Sequence, residues 1–108
     1  MIEEREALAR ISGVRRETLH LWIARGWVTP ERNNEELRFR EIDVARIRLI
    51  REFQTDLNLG DDALDVILPL LDQVHGLRRQ VRRMAGAVNR EPEDVRRRIG
   101  RSLSEPPE

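Results

Sequence analysis

The sequence predicts an all-α protein with a small β wing, in which a helix-turn-helix head precedes a long C-terminal helix of the coiled-coil type. Two short apolar stripes with helical spacing, joined by a turn that contains a glycine, predict the head. A later run of apolar residues at steps of three and four predicts the long helix. All aromatic residues lie in the first half of the 108-residue chain, where we therefore expect the core: Trp22, Trp27, Phe39 and Phe53.

The head is predicted from two helices at residues 3–11 and 17–25. The first would place Ala7, Leu8 and Ile11 on one face, and the second Leu19, Trp22 and Ile23. The turn between them covers residues 12–15. A glycine at position 26 suits the end of the second helix, because glycine adopts the left-handed cap conformation at little cost.

A hairpin and a third helix complete the predicted head. Two short extended pieces around an Asn33-Asn34 turn predict the wing. Residues 41–57 predict a helix, which residues 58–60 interrupt. Its apolar stripe, flanked by Ile50, is expected to face the core: Ile42, Ala45, Leu49, Phe53 and Leu57.

A further helical segment is predicted from Asp61, a good N-cap residue. Pro69 predicts a kink or break within it. The apolar stripe that follows is too narrow to form a core alone, and predicts a homodimer interface: Leu71, Val74, Leu77, Val81, Met84 and Val88. Pro92 would open a last short helix. The predicted organisation is a head at 1–57, a helical dimerisation and partner-binding segment at 58–101, and a disordered tail at 102–108.

Charge is distributed unevenly although the net charge is zero. Residues 56–75 carry five Asp and no Arg, whereas residues 76–101 carry nine Arg and three acidic residues. The sequence thus predicts an acidic collar followed by a basic stem. Four arginines, at positions 78, 79, 82 and 83, are interpreted as solvated flanks of the dimer helix, with nucleic-acid contact as the alternative.

The order of these elements resembles the MerR family of winged-helix regulators. The resemblance covers about residues 5–57 and rests on these residues: Leu8-Ala9-Arg10, Gly13-Val14, Thr18-Leu19, Trp22, Gly26-Trp27-Val28, Pro30, Arg38-Phe39, Asp43, Arg46 and Ile50. It implies that five arginines approach DNA: Arg15, Arg16, Arg25, Arg38 and Arg40. The predicted outward face of the second helix carries Glu17, Leu21 and Ala24, which suit a protein contact better than DNA.

Past Phe53 the chain resembles the CbpM group, chaperone modulators with a MerR-like head. The resemblance rests on residues 56–59, 63–68, 70–74 and 77–78. It implies an adaptor that binds the J-domain of a DnaJ-like co-chaperone and restrains its activity with Hsp70. The basic surface of J-domains favours an acidic, partly apolar binding site: Asp56, Leu57, Leu59, Asp61, Asp62, Leu64, Asp65 and Asp72. A dimeric DNA-binding transcription regulator is the alternative function.

Several classes of function are not expected from this sequence. Cysteine is absent, and the two histidines, His20 and His75, lie far apart, so no metal site or cofactor is expected. No glycine-rich phosphate loop occurs, and no set of residues indicates catalysis. No signal peptide or membrane span is expected, which makes the bacterial cytoplasm the expected location.

Overall fold

The computed structural model of the chain describes residues 1–106. These residues form three strands and five helices, in the order β1 (Ile2–Glu3), α1 (Glu4–Ala9), α2 (Arg16–Ala24), β2 (Glu31–Asn33), β3 (Glu36–Phe39), α3 (Glu41–Thr55), α4 (Asp61–Asn89) and α5 (Glu93–Ser104). The predicted fold class, a mostly helical winged helix-turn-helix protein with a long C-terminal helix, is confirmed. The chain divides into two compact units, Met1–Leu68 and Pro69–Glu108.

The helix-turn-helix of the first unit follows the sequence closely. Leu19 and Trp22 are buried on the inner face of α2. Gly26 has a φ of +77°, and its N–H donates to the Ile23 carbonyl at 3.0 Å, while the Trp27 N–H donates to the Trp22 carbonyl at 3.0 Å. This pair of bonds is a Schellman cap, which ends α2 and turns Trp27 back into the core.

The wing is a three-stranded antiparallel sheet of order β1-β3-β2. The predicted hairpin is present, although its turn lies one residue later than expected, at Asn34 and Glu35, both with positive φ. The third strand, β1, was not predicted because two residues are too few to show a period. It pairs Ile2 with Phe39 and brings the N-terminus against the core.

The prediction for the inner face of α3 was wrong. Ile42 is 66% exposed, Ala45 is exposed, and Leu49 and Phe53 are only partly covered. The buried residues of α3 are Asp43, Val44, Ile47 and Ile50. At about 100° per residue, these two stripes lie on different sides of the helix. The shorter stripe is the buried one, and its charged first member obscured it in the sequence.

Helix α4 begins in the first unit and continues into the second. Leu64 and Leu68 are completely or almost completely buried, so the first unit extends beyond the predicted boundary at residue 57. The break predicted at Pro69 does not occur, because α4 continues through it. A proline removes the hydrogen bond of its own nitrogen and crowds the preceding turn, but it need not end a long helix.

The C-terminal end of the chain differs from the prediction. Helix α5 runs to Ser104, so the disordered tail predicted from residue 102 was wrong for residues 102–104. Residues 107 and 108 of that predicted tail lie outside the described residues. Val95 and Ile99 are partly covered, and Leu103 is exposed. Within the second unit, α5 is therefore an amphipathic helix without a buried residue.

Candidate functional site: helix α2, the wing and the start of α4

A cluster of polar groups surrounds Trp27 at the C-terminal end of α2. The indole Nε1–H of Trp27 donates to Asp65 Oδ1 at 2.7 Å. The Arg25 guanidinium lies 5.2 Å from the centre of the Trp27 ring, and pairs with Asp61 at 3.2 Å and with Asp65 at 3.5 Å. Arg46 Nε donates to the Trp27 carbonyl at 2.9 Å. These contacts fix the first turns of α4 on the head.

This cluster changes the interpretation of the acidic collar. Asp61 and Asp65 are engaged by Arg25 within the first unit, and α4 itself starts at Asp61, so Asp61 is not its N-cap. Leu64, predicted to contact a partner, is completely buried, and that prediction was wrong. Its position on the inner face of α4 makes it part of the core.

The remaining residues predicted for the collar stay accessible. In the first unit, Asp56 and Asp62 are exposed, Leu57 is 61% exposed, and Leu59 is partly covered. Asp72 is exposed and belongs to the second unit. The first unit therefore presents two open carboxylates and one open leucine around the connection between α3 and α4.

Four of the five arginines predicted to approach DNA form ion pairs within the first unit. Arg16 lies 3.6 Å from Glu4, and Arg38 lies 2.7 Å from Glu36. Arg25 pairs with the collar as described above. Arg15 is exposed and has no ion pair with any residue in the described range 1–106. The surface that would face DNA is thus largely neutralised by the chain's own carboxylates.

Arg40, the fifth of these arginines, is part of the start of α3. Its Nη2 lies 3.0 Å from Oδ1 of Asp43, a carboxylate that is only 4% exposed. Oδ2 of Asp43 also accepts the backbone N–H of Arg40 at 2.9 Å. Hydrogen bonding to Asp43 raises the pKa of the Arg40 guanidinium above its ordinary value. The pair therefore serves to begin the helix, a role that the resemblance to DNA-binding proteins does not indicate.

The outward face of α2 has the composition predicted for it. Glu17 and Ala24 are exposed, and Leu21 is 52% exposed. The leucine and the alanine offer no hydrogen-bond donor to a base edge, and the carboxylate of Glu17 would repel phosphate. The same face suits contact with a protein surface.

A shallow groove of about 820 Å³ lies between α1, the start of α2 and the wing. Equal numbers of arginine and glutamate side chains line it. His20 on α2 hydrogen-bonds to Glu4 at its edge, a contact that the sequence could not indicate because sixteen residues separate the two. The balanced charge gives the groove no preference for an anion or a cation. Within residues 1–106, no group of three or more metal-ligating side chains is assembled.

In the second unit, α4 presents an apolar face, which we call the α4 seam. It consists of six side chains: Leu70, Val74, Leu77, Val81, Met84 and Val88. All of its members are exposed except Val88, which is partly covered. Their spacing is a strict alternation of four and three residues once Leu70 replaces the predicted Leu71. Leu71 itself is partly covered and lies beside the seam.

The fold and the site together define a winged helix-turn-helix protein. Residues 4–85 match the family described as MerR HTH family regulatory protein, and the chain belongs to that family. No curated protein and no solved structure matches it. None of the helices described in residues 1–106 is both long enough and apolar enough to cross a membrane.

Proposed function

We propose that this MerR-family regulator acts through a protein partner: it binds the J-domain of a DnaJ-like co-chaperone and restrains its activity with Hsp70. The observation that carries the proposal is the state of the head's arginines. A DNA-reading head needs cations that can neutralise phosphates, whereas Arg16, Arg25, Arg38 and Arg40 are paired with carboxylates of this chain.

The choice of a J-domain is supported by the segment after the head. Its residues resemble the CbpM group, and the family match continues through residue 85, well past α3. The exposed carboxylates Asp56 and Asp62 flank a connection that also exposes Leu57. A basic partner surface with an apolar centre would be complementary to this arrangement.

Charge reversal at the two open carboxylates is expected to weaken J-domain binding. The variant D56R/D62R should bind a J-domain at least tenfold more weakly than the unchanged chain, because like charges would face each other across the interface. Isothermal titration of the full chain with the J-domain measures this. Asp65 is left unchanged because its loss would also break the Trp27 hydrogen bond.

The matched control is E91R/E105R, which makes the same change in charge at two exposed carboxylates of the second unit. It should bind as the unchanged chain does. If D56R/D62R binds the J-domain as tightly as the control does, the acidic collar is not part of the interface. If the titration of the unchanged chain with the J-domain detects no binding, the J-domain is not the partner.

A DNA-binding transcription regulator is the second candidate. The family match and the open guanidinium of Arg15, at the start of α2, favour it. Specific retention of the chain's own promoter fragment in a gel shift at physiological salt, lost in R15A, would support this function over the first.

We expect the chain to form a homodimer through the α4 seam. A narrow exposed apolar stripe with heptad spacing is stabilised when a second helix covers it. The variant L77E/V81E should sediment as a monomer at a micromolar concentration at which the unchanged chain is a dimer, because it buries carboxylates in the seam. R79E, on another side of α4, is the control and should remain dimeric. A monomeric unchanged chain would contradict the expectation.

A further inference from the structure

A second face, which we call the arginine face, consists of five side chains: Arg78, Arg79, Arg82 and Arg83 of α4, and Arg90, which directly follows the helix. At about 100° per residue, its centre lies about 160° from the centre of the α4 seam. The arginines were predicted to flank the seam, yet only Arg78 lies near its edge. A second helix on the seam would therefore leave the other four guanidinium groups open to solvent.

The arginine face has no internal counter-charge. Residues 73–90 contain no Asp or Glu. All five arginines are exposed, and within the described residues 1–106 none of them takes part in an ion pair. Five arginines of the head differ in this respect, since Arg10, Arg16, Arg25, Arg38 and Arg40 are each paired. The chain thus leaves a row of cations unneutralised in the second half of α4 and directly after it, outside the head.

We propose that the arginine face binds the sugar-phosphate backbone of nucleic acid without reading its sequence. The face extends for about 18 Å at 1.5 Å per residue, from Arg78 in α4 to Arg90 just past its end, which spans several phosphates of a duplex. Guanidinium groups match phosphate oxygens in charge and in their paired N–H geometry. The expected ligand is duplex DNA or RNA, which share this backbone chemistry.

The composition of the arginine face favours phosphate groups as the ligand, both over an acidic protein and over unpaired bases. Stable protein interfaces are centred on buried apolar or aromatic side chains, and the arginine face has none, since Gly86 lies at its centre. Residues 56–108 also contain no Phe, Trp or Tyr. Bases therefore have no Phe, Trp or Tyr ring on which to stack, and the arginines themselves offer contacts to phosphates.

The test is fluorescence anisotropy of the full chain with a labelled duplex of arbitrary sequence, titrated once as DNA and once as RNA, at several salt concentrations. Contacts with four or five phosphates predict a loss of about 100- to 500-fold in affinity between about 50 and 200 mM salt for each bound face. The variant R79Q/R82Q/R83Q should bind at least tenfold more weakly and lower the salt slope by about three. R79K/R82K/R83K keeps the charge and should retain most of the affinity.

The matched control removes three arginines of the head that are exposed and form no ion pair within residues 1–106: R5Q/R32Q/R48Q. It should bind within threefold of the unchanged chain. Loss of binding in this control alone would assign the contact to the head and overturn the proposal. Absence of duplex binding at low salt would also overturn it. Equally tight binding of poly-glutamate would make the ligand an acidic polypeptide. J-domain titration of R79Q/R82Q/R83Q should be unchanged, which separates this result from the proposed function.

Discussion

Replacing Ile47 by alanine is expected to lower the free energy of unfolding of the head by about 2–5 kcal/mol. Ile47 is completely buried at the centre of the inner face of α3. Truncation removes three methyl or methylene groups from a packed core that can only partly close around the space. Urea unfolding, followed by the fluorescence of Trp22 and Trp27, measures the change.

The control for this prediction is I42A, the same truncation in the same helix. Ile42 is 66% exposed, so I42A should change stability by no more than about 0.5 kcal/mol. The two variants test which face of α3 is buried, the observed face with Ile47 or the predicted face with Ile42. A larger loss for I42A than for I47A would show that the stripe predicted from the sequence is the buried one.

Replacing Leu64 by alanine is expected to have an effect of similar size, about 2–5 kcal/mol. Leu64 is completely buried in the first unit, and its α4 neighbours Asp61 and Asp65 hold Arg25. Loss of this anchor should loosen the first turns of α4 from the head as well as lower its stability. Urea unfolding measures the loss, and amide hydrogen exchange of residues 61–68 reports the loosening.

The variant L57A provides the contrast, because Leu57 is 61% exposed. It should leave stability within about 0.5 kcal/mol of the unchanged chain, while it weakens J-domain binding if the collar is the interface. The opposite result, a stable L64A and an unstable L57A, would exchange the two roles. Each leucine was predicted to touch a partner, and only the exposed one retains that prediction.

The elements that could be predicted from the sequence are those with a local physical signal. Gly26 at the end of α2 has a conformational requirement that follows from its own backbone. The helical spacing of its apolar residues predicted α2, and turn-forming residues predicted the hairpin of the wing. The resemblance of residues 5–57 to MerR regulators agrees with the family match over residues 4–85.

The features that could not be predicted depend on residues far apart in the chain. Strand β1 exists because Ile2 pairs with Phe39. Asp65 was predicted as a partner contact, and the structure shows that it accepts the indole N–H of Trp27. The inner face of α3 was missed because both sides of the helix carry apolar residues, and only the packing of the head distinguishes them. The candidate site was therefore predicted by region and corrected residue by residue.

The placement of the two tryptophans has a practical consequence for spectroscopy. Trp22 and Trp27 are the only tryptophans of the sequence, and both are buried in the head. Because the Trp27 indole donates to Asp65, its emission should respond when the first turns of α4 detach. Residues 69–108 contain no aromatic ring other than that of His75. Unfolding of the second unit would thus hardly change the fluorescence of the protein, whereas far-ultraviolet circular dichroism would record the loss of its helices.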